Sequence, residues 1–260
     1  MNPNLKRVVE QEGFDPELFD ALYQIEPNHF WFGARNQMII STLQRYFPSF
    51  TDLMEIGCGT GYVLAAIEAH FPAASLTGTD YFAEGLTYAA RRVQRAQLHQ
   101  LDARNIDYEQ HFDVIGMFDV LEHIDEDEQV LQQVYKACRP GGGILVTVPQ
   151  HPFLWSQFDE RSSHARRYTR TQISERIVRA GFTLQRVTSF NSLTLPLMLA
   201  ARLRNSRGQA SYNILNDFKV NPTINQFLMH VLRLERQIIQ AGVSFPAGGS
   251  LLVVAKRPTD

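Results

Sequence analysis

Two cysteines, Cys58 and Cys138, are all that the 260 residues contain, too few for disulfides to replace a hydrophobic core. Charge of one sign is lacking too. The 25 Lys and Arg stand against 27 Asp and Glu, so no global basic field exists and nucleic acid is not an expected partner. Residues 1–13 have no apolar core of the kind a secretory signal needs. No run approaches the roughly 20 apolar residues that span a bilayer; the nearest, 193–203, is short and contains Pro196. Internal repeats, low-complexity tracts and long charge runs are also missing. A reduced, cytoplasmic chain is therefore the expectation. What is present is ordinary: 44% hydrophobic and 20% charged residues exclude disorder and suffice for a core. The length fits one large α/β domain with an insertion.

The chain divides into an N-terminal helical segment (1–50), a core (51–191 with 248–260) and an insertion (192–247). Phe14, Leu18, Leu22 and Ile25 recur at helical spacing behind an Asp15-Pro16 start signal, and a second helix is expected over 34–46 after the aromatic cluster His29-Phe30-Trp31-Phe32. From residue 51 short apolar runs alternate with helical patterns. Strands are expected at 52–56, 75–80, 97–101, 112–118 and 144–149, with helices at 62–70, 83–95 and 126–138 between them. This alternation predicts a parallel sheet covered on both faces. Arg139-Pro140-Gly141-Gly142-Gly143 reads as a helix stop and turn. A helix at 171–180 and strands at 182–190 and 249–256 follow, the last two separated by about 55 residues, far beyond the usual connection of about 2–5. Helical patterns at 193–203 and 224–241 make that stretch an expected helical cap.

Glu55-Ile56-Gly57-Cys58-Gly59-Thr60-Gly61 closes the first strand and opens the first helix of the core. Glycines let the backbone turn tightly and approach a ligand, and open α/β sheets bind ligands at the carboxyl ends of their strands. A tight turn without a ligand would use the same residues. A dinucleotide fingerprint needs glycine where Tyr62 stands, a P-loop needs Gly-Lys-Ser/Thr, and none of the nine tyrosines has the lysine four residues on that a short-chain dehydrogenase uses. Asp80 ends the second strand, where a carboxylate can accept from both ribose hydroxyls. Tyr81 and Phe82 can pack on an adenine face, and Asp102, at the end of the third strand, can accept from an adenine amino group. Each carboxylate could instead cap a helix.

These residues, with Asp102-Ala103, Phe112-Asp113-Val114-Ile115, Asp119-Val120-Leu121-Glu122-His123 and the 139–143 turn, resemble the class I S-adenosylmethionine-dependent methyltransferases, most closely the group that methylates small molecules. His29 to Phe32 with Arg35, and Asp159, His164, Arg166, Arg167 and Tyr168, are similar to a bacterial subgroup of unassigned substrate. The resemblance implies a Rossmann-like seven-stranded sheet of order 3-2-1-4-5-7-6 with strand seven antiparallel. It also implies S-adenosylmethionine as cofactor and S-adenosylhomocysteine as product. Glu55, Gly57, Cys58, Gly59 and Gly61 would hold the methionine part, Asp80 the ribose, Asp102 and Ala103 the adenine edge, with Phe118 and Asp119 lining the cofactor. Arg35 would pair with the cofactor carboxylate or brace the N-terminal helix. Asp119, Glu122 and His123 also resemble a metal site of small-RNA terminal methyltransferases and some quinone O-methyltransferases, but the shorter Asp119 leaves the reading at no metal.

His123 is the candidate catalytic base, where an acceptor hydroxyl or protonated amine would gain about 10²–10⁴-fold from one; alternatively it only shapes the pocket. His151, Trp155, His164, Arg166, Arg167 and Tyr168 are candidate acceptor-binding residues. Arginine forks suit an anionic substrate group, unless they pair with Asp159 and Glu160 on the surface. Apolar 193–199 beside Arg202, Arg204 and Arg207 could rest on a membrane face, or form core or a dimer surface. The expected function is methyl transfer to a small or lipid-linked metabolite. The alternatives are a non-catalytic binding or regulatory subunit of the same fold, and a nicotinamide oxidoreductase.

Overall fold

The structure, a computed structural model, describes residues 18–205, 215 and 218–259. Helices α1 (Leu18–Ile25) and α2 (Phe30–Tyr46) precede the sheet. Then come β1 (Asp52–Ile56), α3 (Tyr62–His70), β2 (Ser75–Asp80), α4 (Ala83–Arg92), β3 (Gln97–Gln100), β4 (Phe112–Phe118), α5 (Asp127–Ala137), β5 (Cys138–Pro149), α6 (Gln157–Arg161), α7 (Arg170–Arg179), β6 (Thr183–Phe190), α8 (Leu195–Asn205), α9 (Pro222–Gln240) and β7 (Ser250–Lys256). The seven strands form one sheet of order β3-β2-β1-β4-β5-β7-β6. The pairs β1–β2, β1–β4, β2–β3 and β4–β5 are parallel, and β7 runs antiparallel to both β5 and β6.

Both faces of the sheet are buried, and the two-residue period of the strands supplies both cores. In β7, Leu251, Val253 and Ala255 join one core with Val130 and Leu131 of α5 and Ile173 of α7. Leu252 and Val254 join the other with Ile39 of α2, Leu64 of α3 and Ile239 of α9. Helix α9 therefore lies against α2 as part of the helical layer, burying Leu228, Leu232 and Ile239. Phe218, just before it, meets the rings of His29, Phe32 and Phe158.

Several boundaries differ from the sequence expectation, each for a local reason. Helix α2 begins at Phe30 rather than at residue 34, because His29 Nδ1 accepts from the Trp31 amide at 3.3 Å. Helix α4 ends at Arg92, not 95, because the Glu68 carboxylate takes the amides of Gln94, Arg95 and Ala96 at 2.9, 2.6 and 2.9 Å. The glycine-rich 139–143 segment is not a free turn. It is drawn into β5, with Gly141 donating to the Arg257 carbonyl and Arg257 donating back to Gly142. Phe14, Asp15-Pro16 and Arg207 lie outside the described residues. Leu193, Leu197 and Leu199 are exposed, and no described helix is long and apolar enough to cross a membrane.

Candidate cofactor site

The carboxyl ends of β1, β2 and β4 open into one cavity, and the glycine loop forms its floor. Gly57, Gly59 and Gly61 all have positive φ, +69°, +50° and +74°, a region that disfavours residues with a Cβ. A Cβ on Gly57 would stand 2.5 Å from Val120 Cγ2, and one on Gly61 would stand 2.8 Å from the Ala89 Cα. Gly61 thus serves the packing of the loop against α4, whereas Gly57, Cys58 and Gly59 line the cavity. Cys58 also belongs to the buried core. Its amide donates to Thr79, and its buried thiol is pushed far up from its ordinary pKa.

Asp80 ties this floor to the end of β2. One oxygen accepts from the Gly59 amide and the other from the Phe82 amide, both at 2.8 Å. Burial pushes its carboxyl up to about 6 against the pull of those amides. Glu55 is more deeply sequestered. One carboxylate oxygen is buried without a hydrogen-bond partner, and burial holds its pKa well above the carboxylate range, with Arg35 opposing. Tyr81 lines the wall, as do Ala103 and Asp102, whose carboxylate is held by the Arg104 side chain at 2.9 Å. Phe118 and Asp119 complete the far wall. Asp119 adopts left-handed backbone, φ 60°, and forms an ion pair with Arg35, whose guanidinium lies over the Trp31 ring. Arg35 therefore stands in the cavity wall and is held by Asp119; it does more than brace its helix.

The cover of the cavity had no signature in the sequence. Phe19 and Leu22 of α1 and Glu26 lie over the glycine loop. Glu26 accepts from the Thr60 hydroxyl at 2.5 Å and pairs with Arg92, which also donates to the Tyr23 carbonyl at 2.6 Å. The apolar stripe of α1 was visible as periodicity, but its docking site was not.

The expected acceptor-binding residues do not line this cavity, and three of them require correction. Tyr168 is fully buried, its hydroxyl donating to Asp127 at 2.5 Å and bonding the Leu121 carbonyl at 3.1 Å. Arg167 pairs with buried Asp159 at 2.7 Å and donates to the Gln150 carbonyl. Arg166 is spent on the Ile124 carbonyl and Asp125. Arg166 ties the loop after β5 to the turn after β4, and Arg167 holds that loop together internally; the pairing of Arg167 with Asp159 is buried, not on the surface. His151 has left-handed backbone, φ 64°, and a buried Nε2 without a hydrogen-bond partner. Trp155 is exposed at the surface, its Nε1 donating to Glu160 at 3.4 Å.

His123 does line the cavity. Burial, aided by His164, pushes its pKa down to about 3. The two imidazoles meet edge to face at 4.7 Å, and His164 Nδ1 lies 3.0 Å from Asp159. Glu122, His123 and His164 each bring a donor atom within 4.8 Å of the others, whereas Asp119 is turned to Arg35.

A family model described as a methyltransferase domain matches residues 54–144, the span from β1 into β5 that builds the cavity floor. That segment is a methyltransferase domain, and the fold and relatives support a class I S-adenosylmethionine-dependent methyltransferase of unassigned substrate. The chain is similar to a malonyl-[acyl-carrier protein] O-methyltransferase of Priestia megaterium, 26% identical over 112 residues, 42% of this chain and 41% of the relative. It is also similar to a phosphatidylethanolamine N-methyltransferase of Cereibacter sphaeroides, 30% identical over 101 residues, 36% of this chain and 48% of that one. The match thus spans less than half the length of either relative. A phosphoethanolamine N-methyltransferase of Haemonchus contortus, solved with S-adenosyl-L-methionine, superposes with a TM-score of 0.58 at 21% identity, over 86% of this chain and 52% of that one. The family's cofactor is S-adenosylmethionine, and the methyltransferase cavity fits it. Glu26, Glu55, Asp80 and Asp119 outnumber Arg35 and Arg104 around a site for a ligand carrying a sulfonium and an ammonium. The unpartnered Glu55 oxygen supplies a buried acceptor, and Gly57 leaves no room for a side chain against Val120.

Proposed function

We propose that the chain transfers a methyl group from S-adenosylmethionine to a small or lipid-linked metabolite. The observation that carries this reading is the pairing of an unpartnered, buried Glu55 oxygen with the doubly amide-held Asp80 across one glycine floor. That is a polar cavity built for a ligand with donors at both ends. When bound, the cofactor supplies an electrophilic sulfonium methyl for in-line displacement. Glu55 and the amides of 57–61 would hold its amino-acid end, Asp80 its ribose, and Tyr81, Asp102 and Ala103 its base; Arg35 would shift between Asp119 and the carboxylate.

The chain's own part is then positioning and exclusion of water. The α1 cover excludes water. His123 faces the cavity as a neutral imidazole, able to orient an acceptor O–H or N–H. With its pKa near 3 it is a weak proton acceptor, so little general-base rate is expected of it. Similarity to an enzyme named for a phospholipid supports a small or lipid-linked acceptor. The test is transfer of labelled methyl from S-adenosylmethionine into a fractionated cell extract. Label in the organic or aqueous small-molecule fraction is the expected result, and label confined to macromolecules would overturn the acceptor class. Binding of S-adenosylhomocysteine with no label in any fraction would favour the non-catalytic reading.

A further inference from the structure

A second groove lies away from the cofactor cavity, between α2, α3 and α9, with a volume of about 510 Å³, within the range of small-molecule pockets. Its basic side chains are His70 from the end of α3, and His230, Arg233 and Arg236 from α9; no Asp or Glu lines it. This is an unfavourable assembly for a protein alone. Arg233 and Arg236 sit one helical turn apart, like charges that repel by a few tenths of a kcal/mol even on an exposed helix. Among the described residues no carboxylate pairs with either, and the Nε of half-buried Arg236 is buried without a hydrogen-bond partner. Other partly buried arginines have partners of their own: Arg92, Arg139 and Arg167 pair with carboxylates, and Arg170, Arg186 and Arg257 donate to backbone carbonyls.

Both histidines are held alike. His70 Nδ1 lies 2.8 Å from the Ala66 carbonyl and His230 Nδ1 lies 2.7 Å from the Gln226 carbonyl. Each Nδ1 therefore carries the proton, and Nε2 is the atom each ring has left to offer. The α2 wall adds Asn36, buried, whose Nδ2 donates to the Tyr62 carbonyl at 3.1 Å while its Oδ1 is buried without a partner. The groove thus combines an arginine pair suited to a multiply charged oxyanion with one unmet acceptor suited to a hydroxyl. The geometry points to a second ligand site here, for a phosphate monoester or pyrophosphate that carries a hydroxyl-bearing group. The inference is independent of methyl transfer, since none of the basic residues lines the cofactor cavity.

The experiment is calorimetric titration of the full chain with pyrophosphate and with glycerol 3-phosphate, against chloride at equal ionic strength. A parallel arm uses sedimentation with phosphatidylcholine vesicles carrying phosphatidic acid. Saturable binding with Kd near or below about 1 mM is expected, weakened at least about tenfold in Arg233→Gln/Arg236→Gln, because a charge-assisted hydrogen bond contributes that much. S-adenosylhomocysteine affinity should be the same in that variant and the wild type, which shows the variant folded and keeps the two sites separate. Binding of the free phosphates assigns a soluble ligand, and arginine-dependent sedimentation alone assigns a lipid headgroup; either supports the site. Absence of binding in both arms, or binding equally strong in the double variant (an adventitious ion only), overturns it.

Discussion

The carboxylate of Asp80 accepts a hydrogen bond from the Gly59 amide at 2.8 Å, locking the end of β2 to the middle of the glycine loop. A buried carboxyl with its pKa raised to about 6 is ionised at pH 7 and protonated at pH 5. Only the ionised form can accept from two ribose hydroxyls while holding two amides. S-adenosylhomocysteine affinity should therefore be flat above about pH 6 and fall roughly tenfold per unit below it, one proton being linked. Calorimetry across pH 5–8 reads this directly. Asp80→Asn should bind weakly and without the step, and a step left in place would transfer the titration to Glu55.

The Gly61 turn is a packing requirement. Replacing it with alanine puts a Cβ 2.8 Å from the Ala89 backbone at φ +74°. A left-handed residue costs about 1–2 kcal/mol and overpacking about 1–3 more. Gly61→Ala should lose about 2–5 kcal/mol in urea unfolding. An unchanged midpoint would mean that α4 can move away from the loop freely.

The N-terminal cover depends on Arg92. Its removal leaves Glu26, 6% exposed, buried without its charge partner, an arrangement that costs about 3–5 kcal/mol when the pair is buried. Arg92→Ala should speed hydrogen exchange at 18–28 and weaken S-adenosylhomocysteine binding together. Faster exchange with unaltered affinity would show that the cover plays no part in holding the cofactor.

Two histidines make the fold acid-sensitive. His123 and His29 have pKa values lowered to about 3 and about 4, below the ordinary 6.5, so the folded chain favours their neutral forms. Unfolding takes up their protons first, and stability is lost as pH falls from about 6.5 toward 4. NMR of the imidazoles should find no titration of His123 between pH 8 and 5; a midpoint near 6.5 would place it in water.

Tyr168 is a brace. Tyr168→Phe removes its bonds to Asp127 and Leu121 and should cost about 1–3 kcal/mol, seen as a lowered melting temperature. KM for the methyl acceptor, once the labelled product identifies it, should change less than about twofold. A large rise in KM with unchanged melting would restore the acceptor-binding role.

Much of this was legible in the chain because it is written in local patterns. The apolar run of Leu251 to Ala255 in β7, glycine at 57, 59 and 61, and a carboxylate ending β2 each follow from the geometry of a strand or a turn. Boundaries slipped where a distant group intervened, as when Glu68 captured the amides after α4.

The order of strands and helices along the chain, the glycine floor and the carboxylates at the strand ends were determined by the sequence itself, since each depends on neighbours a few positions away. The tertiary structure alone decided what covers that floor and which charges are free. Glu26 finds Arg92 across 66 positions, and Arg35 finds Asp119 across 84. Arg167 and Tyr168 turn inward because Asp159 and Asp127 wait there, while Arg166 reaches the Ile124 carbonyl and exposed Asp125. Ion pairs and hydrogen bonds are set by distance in space, and no periodicity along a chain announces which partner a long side chain will reach.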